Sequence, residues 1–129
     1  MPRFERVATV AGMFSWPWPD SLDAVVAAPK HHALLLENER VRVLDTRVAP
    51  GETTPVHTHR WPSVMYVKQW GDFVRRDGAG NVMLDTRVTP KNIEPGTAVW
   101  YEPLQPHSLE NVGVAEIQVI TVELKDETN

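Results

Sequence analysis

Glycine and proline punctuate this chain so often that a long helix has nowhere to form. There are eleven prolines and seven glycines in 129 residues, and breaks fall at 50-PG-51, 77-DGAGN-81, 95-PG-96 and 103-PLQP-106. Proline removes a backbone donor and glycine relaxes the chain, so each cluster ends an element. The only helix the sequence predicts is 21-SLDAVVAA-28, capped by Asp20 or Ser21 and stopped by Pro29. Everything after it reads as short strands: 33–36, 41–48, 64–69, 73–76, 82–88, 98–101 and 116–124. Short strands at this spacing indicate an all-β sandwich or barrel.

Alternation within the strands supports this reading. In 82-VMLDTRV-88, Val82, Leu84, Thr86 and Val88 share one face while Asp85 and Arg87 take the other, as in a half-buried strand. The segment 44-LDTRVAP-50 recurs as 84-LDTRVTP-90, either as a duplicated half-barrel or as two strands in similar surroundings. Residues 1–30 are expected to form an N-terminal arm with the one short helix, and 31–129 a single barrel. The arm carries Phe4, Val7, Val10, Met13 and Phe14 without a clean period. It then runs through 16-WPWPD-20, where proline forces extended backbone. Trp16 and Trp18 want burial, against their own barrel or against a second subunit.

Composition narrows the partners. A net charge of −4 offers no basic stripe for phosphate backbones, so nucleic acid is not expected. No leader-like or membrane-spanning apolar run occurs. The chain has no cysteine, which removes disulfides, thiolate ligands and a thiol nucleophile together and fits a cytoplasmic location.

The chemistry then falls to five histidines: His31, His32, His57, His59 and His107. On a strand, positions i and i+2 face the same way, so His57 and His59 could share one ion. A lone His-x-His is weak evidence. Its setting between a glycine turn and an apolar run strengthens it, because buried imidazole needs a partner. His107, after a proline-rich turn, is the third candidate. Three imidazoles leave coordination positions open, as catalytic rather than structural sites do. The alternative has His57 and His59 hydrogen-bonded in a polar corner. His31 and His32 read as surface or packing residues.

The segment 51-GETTPVHTH-59 resembles the first half of the cupin signature, and 96-GTAVWYEPLQPHSLEN-111 resembles the second, with Gly96, His107 and Asn111 at the family's spacing. The resemblance covers about residues 33 to 124 and is closest to small single-domain bacterial cupins. It implies an all-β double-stranded β-helix, a jelly-roll barrel with the metal near one end. Two departures stand out. The glutamate that cupins place after the second histidine is absent, with Ser63 or Val64 in its place. Glu102 and Leu104 stand where the second turn usually has proline and glycine.

A histidine-only shell leaves the ion its full charge, a stronger Lewis acid than one bound by a carboxylate. The expected cofactor is a divalent metal held by His57, His59 and His107, with iron first and nickel, zinc, manganese, cobalt or copper as alternatives. Similarity to three-histidine cupins admits a small-molecule dioxygenase, or another metal-dependent enzyme; the competing reading is a non-catalytic small-molecule binder or sensor. Ser63, Tyr66, Gln69 and Trp100 are expected to line the pocket or support the ligands, and Trp61, Trp70 and Tyr101 could join them. Arg47 and Arg87 could clamp an anion, but more simply pair with Asp45 and Asp85. The expected partners are a small organic molecule and a second copy of the chain in a homodimer.

Overall fold

The computed structural model describes residues 16–125; the apolar residues 4–14 lie outside them. After a 3-10 turn at Asp20–Leu22 comes a single short helix, α1 (Ala24–Ala27). Nine strands follow: β1 (His32–Glu37), β2 (Val41–Val48), β3 (His57–His59), β4 (Ser63–Gln69), β5 (Phe73–Asp77), β6 (Val82–Asp85), β7 (Ala98–Tyr101), β8 (Leu104–Asn111) and β9 (Ile117–Leu124). They form two antiparallel sheets, one ordered β1-β2-β9-β4-β7 and the other β3-β8-β5-β6.

The core lies between the sheets. β9 alternates strictly, with Ile117, Val119, Thr121 and Glu123 buried and the residues between them half-exposed. β4 does the same with Ser63, Met65 and Val67. Met65, Val67, Phe73, Ile117 and Val119 make one apolar cluster, against which Trp70, Leu84, Val99, Tyr101 and Leu109 pack. Truncating a fully enclosed member such as Val67 or Phe73 would cost on the order of 2–5 kcal/mol, the lost transfer energy plus a cavity.

The turn glycines explain two motif positions. Gly51 (φ 84°) and Gly96 (φ 90°) both occupy the left-handed region, where a side chain is strained. The motif asparagine has a structural task. Buried Asn111 donates from Nδ2 to the carbonyls of Val48 (2.8 Å) and Ala115 (2.9 Å) and accepts from Gly113 N–H (2.9 Å).

Four expectations change. The helix is shorter than 21–28, and its cap is Asp23, whose Oδ2 accepts from Val25 N–H at 3.2 Å. Strand 82–88 ends at Asp85: Val88 N–H turns back to Asp85 O, leaving Val82 and Val88 59% and 77% exposed. Alternation persists in the sequence beyond the point where the ladder stops, so β2 and its echo share the ion pairs Arg47–Asp45 (3.0 Å) and Arg87–Asp85 (2.9 Å) and an inward leucine, but Val48 is buried and Val88 is not. Residues 104–111, expected to open as a proline turn, form a strand that includes Pro106. The pairing of β8 with β5 has ended by then, at Asp77 opposite His107, and the β3 register shifts there, so the missing N–H leaves no ladder partner wanting. His57–His59 is itself a short strand.

Candidate metal centre

β3 and β8 bring the two half-motifs together directly, with His57 paired opposite His107. The ring centroids of His57 and His107 are 4.4 Å apart, those of His57 and His59 4.9 Å, and those of His59 and His107 5.5 Å. A fourth ring joins them from the start of β1: His32 lies 4.7 Å from His57 and 5.4 Å from His59. The nearest ligand nitrogens of His32, His57 and His59 all lie within 4.8 Å of one another. His32 is therefore a cluster member and not the surface or packing residue its sequence position implied. His31, also buried, turns away and bonds Arg47 O at 3.0 Å.

Every ring in the cluster is fixed in the same way. Nδ1 donates to Ala28 O in His32 (3.0 Å), to Pro55 O in His57 (2.8 Å), to Gln105 O in His107 (2.7 Å), and to Glu123 Oε2 in His59 (3.3 Å). A carbonyl or an ionised carboxylate can only accept, so the proton sits on Nδ1 and the Nε2 lone pair is left for another partner. Among the described residues no hydrogen bond reaches any of the four Nε2 atoms. This is the tautomer in which imidazole ligates a divalent ion, with the outer nitrogen anchored to orient the ring.

Electrostatics keep the rings neutral. Burial, reinforced by the other histidines, lowers His32 to about 3 and His107 to about 2. Burial first and His57 second lower His59 to about 3, and burial lowers His57 as well. Neutral imidazole is the ligating form.

Glu123 is the residue that sequence reasoning missed most plainly. Fully buried at the inward end of β9, it accepts from Arg42 Nε at 2.6 Å, and Arg42 in turn binds Asp23 at 2.8 and 3.0 Å. Burial pushes the Glu123 carboxyl upward, against the pull of Arg42. Strand pairing sets Arg42, Glu123, Ser63 and Tyr101 in one row across the sheet, beneath the histidines. The signal was present in the sequence: a glutamate in the inward phase of 117-IQVITVEL-124, where the other inward residues are Ile, Val and Thr.

Two cavities meet the cluster. An inner one of about 100 Å³ is bounded by His59, Ser63, Arg75, Tyr101 and His107, with Met65, Phe73 and Leu109 among its apolar walls. An outer one of about 420 Å³ lies under Trp16 and Trp18 and shares Arg75, Leu104 and His107 with the first. The two tryptophan rings meet edge to face at 4.8 Å and line this outer cavity together with Met83 and Pro103.

Ser63 stands at the inner cavity, 7% exposed. Tyr66, Gln69 and Trp100 do not line it. They lie on the outer face, Tyr66 46% and Trp100 39% exposed, because inward phase on β4 belongs to Ser63, Met65 and Val67. Trp61 lies against Arg42 and Lys125, while Trp70 and Tyr101 line the cavity.

No family model matches this sequence, and no curated protein does. Solved structures do. A cupin domain from Bordetella pertussis is 22% identical over 74% of this chain and 92% of its own, with a TM-score of 0.59. A protein with a double-stranded β-helix domain from Klebsiella pneumoniae is 19% identical over 76% and 78%, at 0.51. An RmlC-like cupin family protein from Methanocaldococcus jannaschii is 14% identical over 74% and 81%, at 0.50. At such identities the likeness is one of fold. Together with the two antiparallel sheets it makes this chain a cupin-fold protein, an all-β double-stranded β-helix. Within that fold it carries a group of three histidines that could hold a metal ion.

Proposed function

We propose that this is a divalent-metal cupin whose ion is held by Nε2 of His57, His59 and His107, with His32 beside them as a fourth imidazole. The single observation that supports this most is the shared tautomer, four rings anchored through Nδ1 with their other nitrogens left without a protein partner. The ligand atoms of His32, His57 and His59 meet the distance requirement, whereas His59 and His107 face the inner cavity. A divalent ion would have His57 and His59 in common to both sets, with His32 and His107 as the further imidazoles available to it.

Bound there, a divalent ion supplies a Lewis-acid centre with positions free for water or a small ligand. The chain's own residues do the rest. Glu123 orients His59 and raises its basicity through the Nδ1 contact. Arg42 balances that carboxylate, and Asp23 balances Arg42, so the three carry one net negative charge behind the histidines. Met65, Phe73 and Leu109 give the inner cavity apolar walls. We assign the chemistry to the dioxygenase type, with iron as the leading metal and a small organic molecule as substrate.

One observation favours a non-catalytic binder instead. Among the described residues the only carboxylate lining the inner cavity, Glu102, is already engaged by Trp100 Nε1 at 2.6 Å and is poorly placed as a general base. We also propose a homodimer through the outer face of the larger sheet, where Leu36, Val43, Val122, Val64 and Trp100 form one apolar row by direct pairing.

Metal content of the purified chain, compared with His57→Ala/His107→Ala, tests the site. One ion per chain in the parent and loss in the variant are expected, and equal metal in both removes the proposal. Oxygen uptake after Fe(II) loading, with small thiols, diketones and hydroxy acids, separates turnover from binding.

A further inference from the structure

Arg75 is the unexplained charge of this barrel. Phe73 and Arg75 share the inward phase of β5, whereas Arg76 points outward to Glu110 (2.9 Å). Arg75 lines both cavities and stands at their common boundary. Its guanidinium lies over the rings of Phe73 and Tyr101, 5.5 and 6.0 Å from their centroids. Its Nε has no exposed surface and no hydrogen-bond partner.

A guanidinium stays protonated at any physiological pH, and a buried N–H seeks an acceptor. None is at hand. Among the described residues no carboxylate forms an ion pair with Arg75, and the one that shares its cavity, Glu102, accepts from Trp100. The two aromatic faces satisfy the cation's spread charge but not the in-plane N–H. What is missing is an acceptor in the guanidinium plane, and a carboxylate offers two oxygens at matching spacing.

We propose that Arg75 is the anion-binding residue of this cavity and that its ligand is a small organic carboxylate. The carboxylate lies in the plane of the Arg75 guanidinium, the carbon chain lies among Met65, Phe73 and Leu109, and the ligand reaches the cavity past Trp16 and Trp18. The inner space of about 100 Å³ limits it to a few heavy atoms beyond the carboxylate. The assignment deepens the metal-site reading by naming its substrate class, but the anion contact does not itself require the ion.

The test titrates straight-chain carboxylates from propanoate to hexanoate, each against its own amide, into the full chain with and without Zn(II), followed by calorimetry. Inorganic phosphate is run in parallel. Saturable binding of at least one carboxylate, at least tenfold tighter than its amide and than phosphate, is expected. Arg75→Met should abolish it, and Arg75→Lys should weaken it while leaving Zn(II) stoichiometry unchanged. Equal binding of acid and amide, equal or tighter binding of phosphate, no saturable binding, or undiminished binding by Arg75→Met overturns the proposal. If Arg75→Met does not fold, the acid-amide comparison on the parent chain decides. Failure of the metal site shows separately, as absent Zn(II) uptake with Arg75-dependent carboxylate binding retained.

Discussion

Ser63 on β4 lies directly opposite Glu123 on β9. Of the two residues that stand where the cupin signature has its glutamate, Ser63 faces inward and Val64 outward, so the inner face holds a hydroxyl there and a carboxylate one strand away. From there Glu123 reaches a histidine Nδ1 at 3.3 Å rather than the open side of the cluster. The charge removed from one strand is present on its neighbour, with a different task.

Glu123→Gln is expected to weaken metal binding on the order of 10- to 100-fold, the usual cost of losing the partner that orients a ligating histidine. A competition titration against a chromophoric chelator measures it. An unchanged affinity would mean that His59 needs no orienting partner.

Returning a carboxylate to its cupin position is expected to harm the metal-free protein. In Ser63→Glu two acidic side chains face each other across β4 and β9 at a buried site, which destabilises by about 1 kcal/mol or more. A divalent ion should reverse the loss by binding the added ligand. Thermal unfolding with and without Zn(II) reads both arms, and a metal-free variant as stable as the parent would contradict the expectation.

Acid should unfold the metal-free chain earlier than its surface carboxylates alone would require. His32, His59 and His107 have folded-state values of about 3, 3 and 2, below the 6.5 of the unfolded chain. As pH falls below 6.5 the unfolded state takes up protons that the folded state refuses, so stability present at pH 7 is lost downward. Each such histidine contributes up to about 1.4 kcal/mol per pH unit. Glu123, pushed up by burial, works in the opposite sense over its own range. Urea midpoints between pH 7 and 4.5 should fall, and His32→Gln should flatten the slope.

Val64→Glu places a charge within the exposed apolar row, between Val122 and Trp100. Light scattering is expected to show a two-chain particle for the parent and a single chain for the variant. A monomeric parent would remove the homodimer.

The sequence by itself determined the class of fold, because the spacing of glycine and proline leaves room only for short strands, and because Gly51 and Gly96 sit where a positive φ is required. It also brought His57, His59 and His107 forward, since two half-motifs on one barrel converge once β3 and β8 pair. Phase along a strand was legible in β4 and β9 but not where a ladder ends early, as at Val88, nor for Tyr66 and Trp100, whose aromatic character pointed inward while their phase pointed out. Only the tertiary structure decided the rest. His32 enters the cluster because β1 runs beside β2 at the edge of the larger sheet and Ala28 O anchors its ring. Glu123, 64 residues from His59, and Arg75, 32 residues before His107, reach the site by strand order alone. Local sequence encodes periodicity and turns; which strands become neighbours is set by closing the two sheets over a common core, and that placed the second carboxylate and the unpaired arginine.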